Sequence, residues 1–222
     1  TLQEIDDLVP TIKSDSNGNL KPMLAKQSDK CQNSVLNKPM WCSRKLNGVR
    51  CMMRWDSDQN RVVTISRGGK NYDVPSTKII AEVTEFLKSN PTLTLDGELY
   101  KHGHYLQELS GIARLEEWEE RCELLEYHIY DLAASGMTFE EDRLPILEKL
   151  REDTFKDCVK VKVLEHIHTT SWDEIKKLHD KWVSEGYEGL VARKPDKEYE
   201  FGKRGSTMIK VKQYQDAEFT II

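Results

Sequence analysis

Lys45-Leu46-Asn47-Gly48-Val49-Arg50 sets a lysine just ahead of an Asn-Gly pair, with an arginine five positions on. Asn-Gly between extended segments is a tight-turn signal, because both residues tolerate the positive φ such turns need. Beyond it the chain alternates, with Val49, Cys51, Met53 and Trp55 on one face and Arg50, Met52 and Arg54 on the other. That period of two is a strand. Asp56 to Asn60 makes a turn and Arg61 to Ser66 returns as a second strand, so the stretch is expected to form a hairpin. Upstream, the first forty residues carry no sustained period, and residues 15–19 read as a turn.

Downstream, Ile79, Ile80, Val83, Phe86 and Leu87 recur at helical spacing, with Ser76 or Thr77 as the N-cap. Thr92 to Tyr100 reads as a strand, and a helical stretch runs from Leu106 to Arg121 with a break near Gly111. Strands are expected at Leu124 to Leu132, Val159 to Ile167, Glu188 to Arg193, Met208 to Lys212 and Glu218 to Ile222. Helices are expected at Leu144 to Glu152 and at Trp172 to Ser184, the latter capped by Ser171. Strands and helices mix without regular alternation, which points to an α+β fold with mainly antiparallel sheets and flanking helices.

The 222 residues carry a formal charge of -5, unevenly placed. Between Trp41 and Lys70 seven basic residues face two acidic ones, whereas Asp96 to Asp157 holds 17 acidic against 7 basic. The overall balance excludes a histone-like coat but leaves room for a local basic groove. No apolar run approaches a membrane span, and the acidic N-terminus has neither the basic region nor the apolar stretch of a signal peptide. Five cysteines without a C-x-x-C pair suggest reduced thiols in a cytoplasmic compartment. P-loop, Rossmann and calcium-loop patterns are missing. His102 with His104, and His166 with His168, are spaced for one strand face but lack an evident third ligand.

Five short elements follow one another in order: Lys45 to Arg50, Ser66-Arg67-Gly68-Gly69-Lys70, Leu95-Asp96-Gly97-Glu98-Leu99, Glu188-Gly189-Leu190-Val191 and Lys210-Val211-Lys212, with Tyr130-Asp131 between the third and fourth. Each alone is a loop, a strand end or a basic edge. Together they resemble the ATP-grasp-like nucleotidyltransferase domain of ATP-dependent DNA ligases, RNA ligases and mRNA capping enzymes, from about Lys21 to the end. Lys21 to Lys26, Asp96-Gly97-Glu98-Leu99 and Asp216 to Ile222 look most like DNA ligases of small viral or phage type. A capping enzyme would usually place a bulky residue such as Trp where this chain has Val211.

The resemblance implies a set of roles. Lys45 matches the nucleophile that attacks the α-phosphate of ATP and keeps AMP as a phosphoramide. A free lysine, with a pKa near about 10.4, is protonated at neutral pH, so neighbouring cations (Arg50, Lys210, Lys212 and a divalent metal) would favour its neutral form. Arg50 and Arg67 match positions near the nucleotide sugar and the 5′-phosphate of the nucleic acid, and Lys70 extends that basic loop. Glu98 matches the residue that engages the ribose or a metal-bound water, Tyr130 an aromatic plate for the purine, and Glu188 a carboxylate for magnesium. Lys210 and Lys212, two apart on a strand, would share a face and both reach the α-phosphate. The implied partner is nicked duplex DNA, bound through phosphates by a monomer. Asn47 departs from the commoner Asp. The family carries an OB-fold after the strand ending this chain, so residues 21–222 are expected to be an excised adenylation domain behind a frayed arm, residues 1–20. A non-catalytic nucleic-acid-binding module is the alternative of a different class, and the two glutamates beside phosphate sites argue against it.

Overall fold

The computed structural model describes residues 20–31 and 37–212. The arm before Leu20, the turn at 15–19 and the strand at Glu218 to Ile222 lie outside the described residues. Among the described residues, ten strands form two five-stranded sheets. The first has the order β1 (Lys26–Gln27), β10 (Met208–Lys212), β9 (Gly189–Arg193), β2 (Met40–Lys45) and β8 (Ile167–Thr169). The second runs β4 (Arg61–Ser66), β3 (Val49–Asp56), β5 (Thr94–Tyr100), β6 (Glu126–Leu132) and β7 (Val161–Val163). Only the β1–β10 and β6–β7 pairs are parallel. The α+β, mainly antiparallel architecture is therefore what the mixed pattern implied.

Alternation along β3 sorts its side chains between two cores. Cys51, Met53 and Trp55 join the main core, with α1 (Thr77–Ser89), α2 (Leu106–Ile112) and α3 (Leu144–Lys149) packed on that side through Ile79, Val83, Leu109, Ile112, Leu144 and Leu147. Met52, on the other face, enters a smaller core with Met23, Ala133, Tyr199 and Met208, where the two sheets meet. The far face of the first sheet buries Met40, Cys42, Leu190, Ala192, Ile209 and Val211 against Ile175 and Trp182 of α4 (Trp172–Ser184). Ser171 caps α4, its Oγ accepting from the Glu174 N–H at 3.3 Å.

Several local expectations change. The hairpin of β3 and β4 forms as expected, whereas the Asn47-Gly48 turn carries the chain between sheets, since β2 ends in the first and β3 starts in the second. Gly48 is needed for close approach, since a Cβ there would lie 2.5 Å from the Leu99 carbonyl oxygen and 2.7 Å from Glu98 Cγ. The expected strand at Val159 to Ile167 divides into β7 and β8, one in each sheet, because Leu164 to His166 also crosses over. The helix expected to reach Arg121 stops at Ile112, since Ile112 and Ala113 are its last buried residues and the following glutamates are exposed. The Leu144 to Glu152 helix is α-helical only to Lys149 and has a π-helical turn on each side. Ser76 precedes α1 but forms no side-chain cap, and its buried Oγ has no hydrogen-bond partner.

Candidate active site

Between the sheets lies a cleft of about 580 Å³, within the range of small-ligand sites. Lys45, Arg50, Glu98, Tyr130, Arg193 and Lys210 line it, and Arg67 and Lys70 stand at its edge. These residues come from both sheets, so the site exists only once the sheets are stacked.

Lys45 is the last residue of β2 and pairs with Gly189 at the start of β9. Lys212, the last residue of β10, pairs with the same glycine from the other side. Glu188, immediately before that glycine, bridges the two lysines: Oε2 lies 2.5 Å from Lys45 Nζ, and Oε1 pairs with Lys212 Nζ. Its backbone N–H also donates to the Lys45 carbonyl at 3.1 Å. Burial alone would raise the Glu188 pKa, but Lys45 and Lys212 outweigh it and hold the carboxyl below its usual range. Gly189 makes this geometry possible. Its φ is +139°, and a Cβ there would run into the Val211 carbonyl of the neighbouring strand.

The lysines of β10 divide their work. Lys210 lines the cleft, and its pKa is lowered by burial first, then by Lys212, Lys45 and Arg204. Lys212 pairs with Glu188, the carboxylate it shares with Lys45, while Lys210 lines the cleft itself.

Arg50 is also turned inward. Its Nε donates to Asp96 Oδ1 at 2.9 Å, and its Nη2 to Asp96 Oδ2 at 2.5 Å and to Tyr199 Oη at 3.2 Å. Its Nη1 donates to the Met23 carbonyl at 2.6 Å. Four of its donors are thus engaged by the protein, and the guanidinium forms part of the cleft wall. Tyr199 Oη completes the group by donating to Asp96 Oδ2 at 2.6 Å and accepting from the Met23 N–H at 3.0 Å.

Glu98 sits opposite Arg50 in the β3–β5 register. Burial pushes its carboxyl up to about 7, against the pull of Lys45 and Arg50 and with Asp96 adding to the rise. Tyr130 Oη donates to Glu98 Oε2 at 3.4 Å. The guanidinium carbons of Arg50 and Arg193 lie 5.8 and 5.6 Å from the Tyr130 ring centroid, so two cations engage this ring. Arg67 and Lys70 occupy an exposed turn tied down by Ser66, whose Oγ accepts from the Lys70 N–H at 2.6 Å.

Arg193 is a residue the motif reading missed. It is buried, with Nε 3.0 Å from Asp131 Oδ2 and Nη1 2.9 Å from Ser43 Oγ. Arg143 Nε donates to the other Asp131 oxygen at 2.8 Å. One carboxylate thus joins β6 of the second sheet to β9 of the first. The Asp of Tyr130-Asp131 was visible in the sequence, but nothing local marked its partners.

Magnesium favours oxygen ligands and needs only one or two carboxylates when phosphate and water complete its shell. Glu98 fits that description: it is a partly buried carboxylate in the cleft lining, with its pKa raised by desolvation, and a cation there would favour its charged form. Glu188 fits less well, because a metal there must displace its two lysines. No three His, Cys, Asp or Glu side chains converge as a metal site among the described residues, and the two histidine pairs do not form one.

Two stacked, mainly antiparallel sheets around a lysine-based, arginine-walled cleft define a nucleotidyltransferase-type domain. Residues 22–212 match the family model for the ATP dependent DNA ligase domain, and the chain belongs to that family. It is 31% identical over 178 residues to a DNA ligase of Archaeoglobus fulgidus, covering 76% of this chain and 31% of that protein. Its fold is shared with the Chlorella virus DNA ligase-adenylate (TM-score 0.64, 20% identity, 89% of this chain and 69% of that one). The ATP complex of the bacteriophage T7 ATP-dependent DNA ligase is similar too (TM-score 0.66, 17% identity, 86% and 68%). The chain spans 31% and 38% of the length of the first two curated relatives it matches. Among the described residues, no helix is long and apolar enough to cross a membrane.

Proposed function

We propose that this domain carries the adenylyl-transfer centre of a ligase that seals nicks in duplex DNA, with Lys45 as the nucleophile. The observation that carries this reading is Lys45 Nζ held at 2.5 Å from Glu188 at the base of a cationic cleft. Lys45 attacks the α-phosphorus of ATP, an N–P bond forms, and the P–O bond to pyrophosphate breaks. The ammonium sheds one proton to become a nucleophile, for which Glu188 Oε2 is the acceptor in reach, and the second proton leaves the nitrogen to solvent or to the departing pyrophosphate as the N–P bond forms. Lys210, Arg193 and Arg50 line the space where phosphate charge develops, which favours an in-line displacement. Glu98 and Tyr130 bound the nucleoside end. A magnesium ion held by Glu98 would supply further neutralisation of phosphate charge.

Transfer of AMP to the 5′-phosphate of a nick then regenerates Lys45, and the 3′-hydroxyl displaces AMP to close the strand. Arg67 and Lys70 receive the polynucleotide phosphates in a salt-dependent, sequence-independent way. The five free cysteines suit a monomer working in a reducing, cytoplasmic setting.

The experiment is labelling with α-labelled ATP or GTP, followed by a chase with nicked duplexes bearing a DNA or an RNA 3′-hydroxyl strand. Label from ATP that the DNA nick removes supports the reading. Label from GTP alone points to a capping-type guanylyltransferase, preferential chase by the RNA strand to an RNA ligase, and no label with tight nucleic-acid binding to a pure binding module.

A further inference from the structure

The cleft opens beside a second, shallower cavity of about 370 Å³, and the two share Lys70, Tyr72 and Arg114 as lining. Arg114 reaches this junction from the exit of α2. Leu106, Ser110 and Arg114, four residues apart, all line the main cleft, so one face of the helix and its exit forms a wall. Leu109, Ile112 and Ala113 are buried, which fixes that helix end and with it the backbone of Arg114. Across the junction, the Ser66 N–H donates to the Lys70 carbonyl at 2.7 Å and the Gly69 N–H to the Ser66 carbonyl at 3.0 Å, closing the turn that presents Arg67 and Lys70.

These three cations share an electrostatic property. Among the described residues Arg67, Lys70 and Arg114 are exposed and have no carboxylate partner, whereas most exposed arginines elsewhere are paired, such as Arg61 with Asp73 and Arg121 with Glu119. Two carboxylates line the second cavity. Asp73 is engaged by Arg61, Thr64 and Asn71, and Glu116 is the one left facing solvent. Three cations without carboxylate partners therefore meet at the junction, and the second cavity leads away from it.

We infer that Arg114 is a phosphate-contacting residue of this domain, acting with Arg67 and Lys70 to hold a polynucleotide phosphate where the cleft meets the second cavity. The inference rests on the ligase reading and adds to it a residue outside the ordered motif series. Arg114 is well suited to the task, since a guanidinium offers paired donors to phosphate oxygens. The same chemistry would also suit the departing pyrophosphate of ATP. The placement favours the polynucleotide, because Arg114 lies where the cleft continues outward rather than beside Lys45 and Glu188.

The test uses the 222-residue chain and its Arg114→Ala and Arg114→Lys variants in two arms. One arm follows lysyl-AMP formation from ATP. The other measures binding of the AMP-loaded chain to a duplex with a single 5′-phosphorylated nick across a salt series, with melting temperature recorded for every variant. The inference predicts about tenfold weaker nick binding for Arg114→Ala and a salt slope lower by about one, with the slope restored in Arg114→Lys. Unchanged affinity and slope in Arg114→Ala, with a wild type that binds, overturns the inference and leaves the ligase reading standing. A deficit confined to lysyl-AMP formation also overturns it and assigns Arg114 to the phosphates of ATP. A wild-type chain that neither takes up AMP nor binds the nick overturns the ligase reading, and this inference with it.

Discussion

Lys45 and Glu188 are joined twice, by an ion pair of 2.5 Å between side chains and by a hydrogen bond of 3.1 Å from the Glu188 N–H to the Lys45 carbonyl. The backbone bond fixes where Glu188 starts, and the ion pair fixes where the lysine ends. Glu188→Gln keeps the shape and removes the charge that Lys45 and Lys212 share. The pair is partly exposed, so stability should change by about 1 kcal/mol or less. Lysyl-AMP formation should fall by roughly a hundredfold, because proton removal and lysine placement are both lost. A single-turnover time course with ATP, read beside a thermal melt, checks the split; equal losses in both would make Glu188 a structural residue only.

Gly189 is in register with Lys45 on one side and Lys212 on the other. Its φ of +139° and the Val211 carbonyl leave no place for a side chain. Gly189→Ala should therefore cost about 2 kcal/mol in strain and lower the melting temperature by roughly 5 °C. It should also depress lysyl-AMP formation more than that stability loss explains, because both lysines shift. Calorimetry and labelling of the same sample decide it.

Asp131 holds two buried arginines from different elements, Arg143 and Arg193. Burial would raise its pKa, yet the two guanidinium groups keep it below the usual carboxylate value. Asp131→Ala strands both cations in the interior, a change worth about 3–5 kcal/mol. The prediction is a chain that unfolds at much lower denaturant. An unchanged denaturation midpoint would show that the sheets do not depend on this link.

His166 is buried against Phe139, with its Nε2 unpartnered. Burial, followed by Arg193, pushes its pKa down from 6.5 to about 3. The unfolded chain takes up a proton below pH 6.5 that the folded chain refuses, so stability is whole above that pH and is lost as pH falls toward 3. Between pH 6.5 and 4.5 the loss amounts to about 2–3 kcal/mol. His166→Gln should flatten the stability profile in that window. Denaturant titrations at several pH values test this, and parallel profiles for the two proteins would refute it.

Legibility in the sequence followed the physics of each segment. β3 shows alternation along Val49 to Trp55 because its two faces enter different cores, and α1 and α4 show helical spacing because one stripe is buried. β2 is not legible: Met40, Cys42 and Ser43 are all buried in an interior strand flanked by β9 and β8, which leaves no period of two to read. The two places where the chain changes sheets, Leu46 to Gly48 and Leu164 to His166, look like a turn and a strand interior because sheet membership is not a local property. The motif series located the lysines, Glu98 and Glu188. It could not show that Arg50 is claimed by Asp96, which needs β3 and β5 to pair within the second sheet, or that Arg193 pairs with a carboxylate 62 residues away, which needs the two sheets to stack.

The central claim is that Lys45 is the atom-bearing nucleophile of this cleft. The most direct test is intact mass and peptide mapping of the chain after incubation with ATP and magnesium. The account predicts a single adenylyl adduct, located on the peptide containing Lys45 and missing in Lys45→Ala. An adduct that persists in Lys45→Ala, or that maps to Lys210 or Lys212, would contradict it.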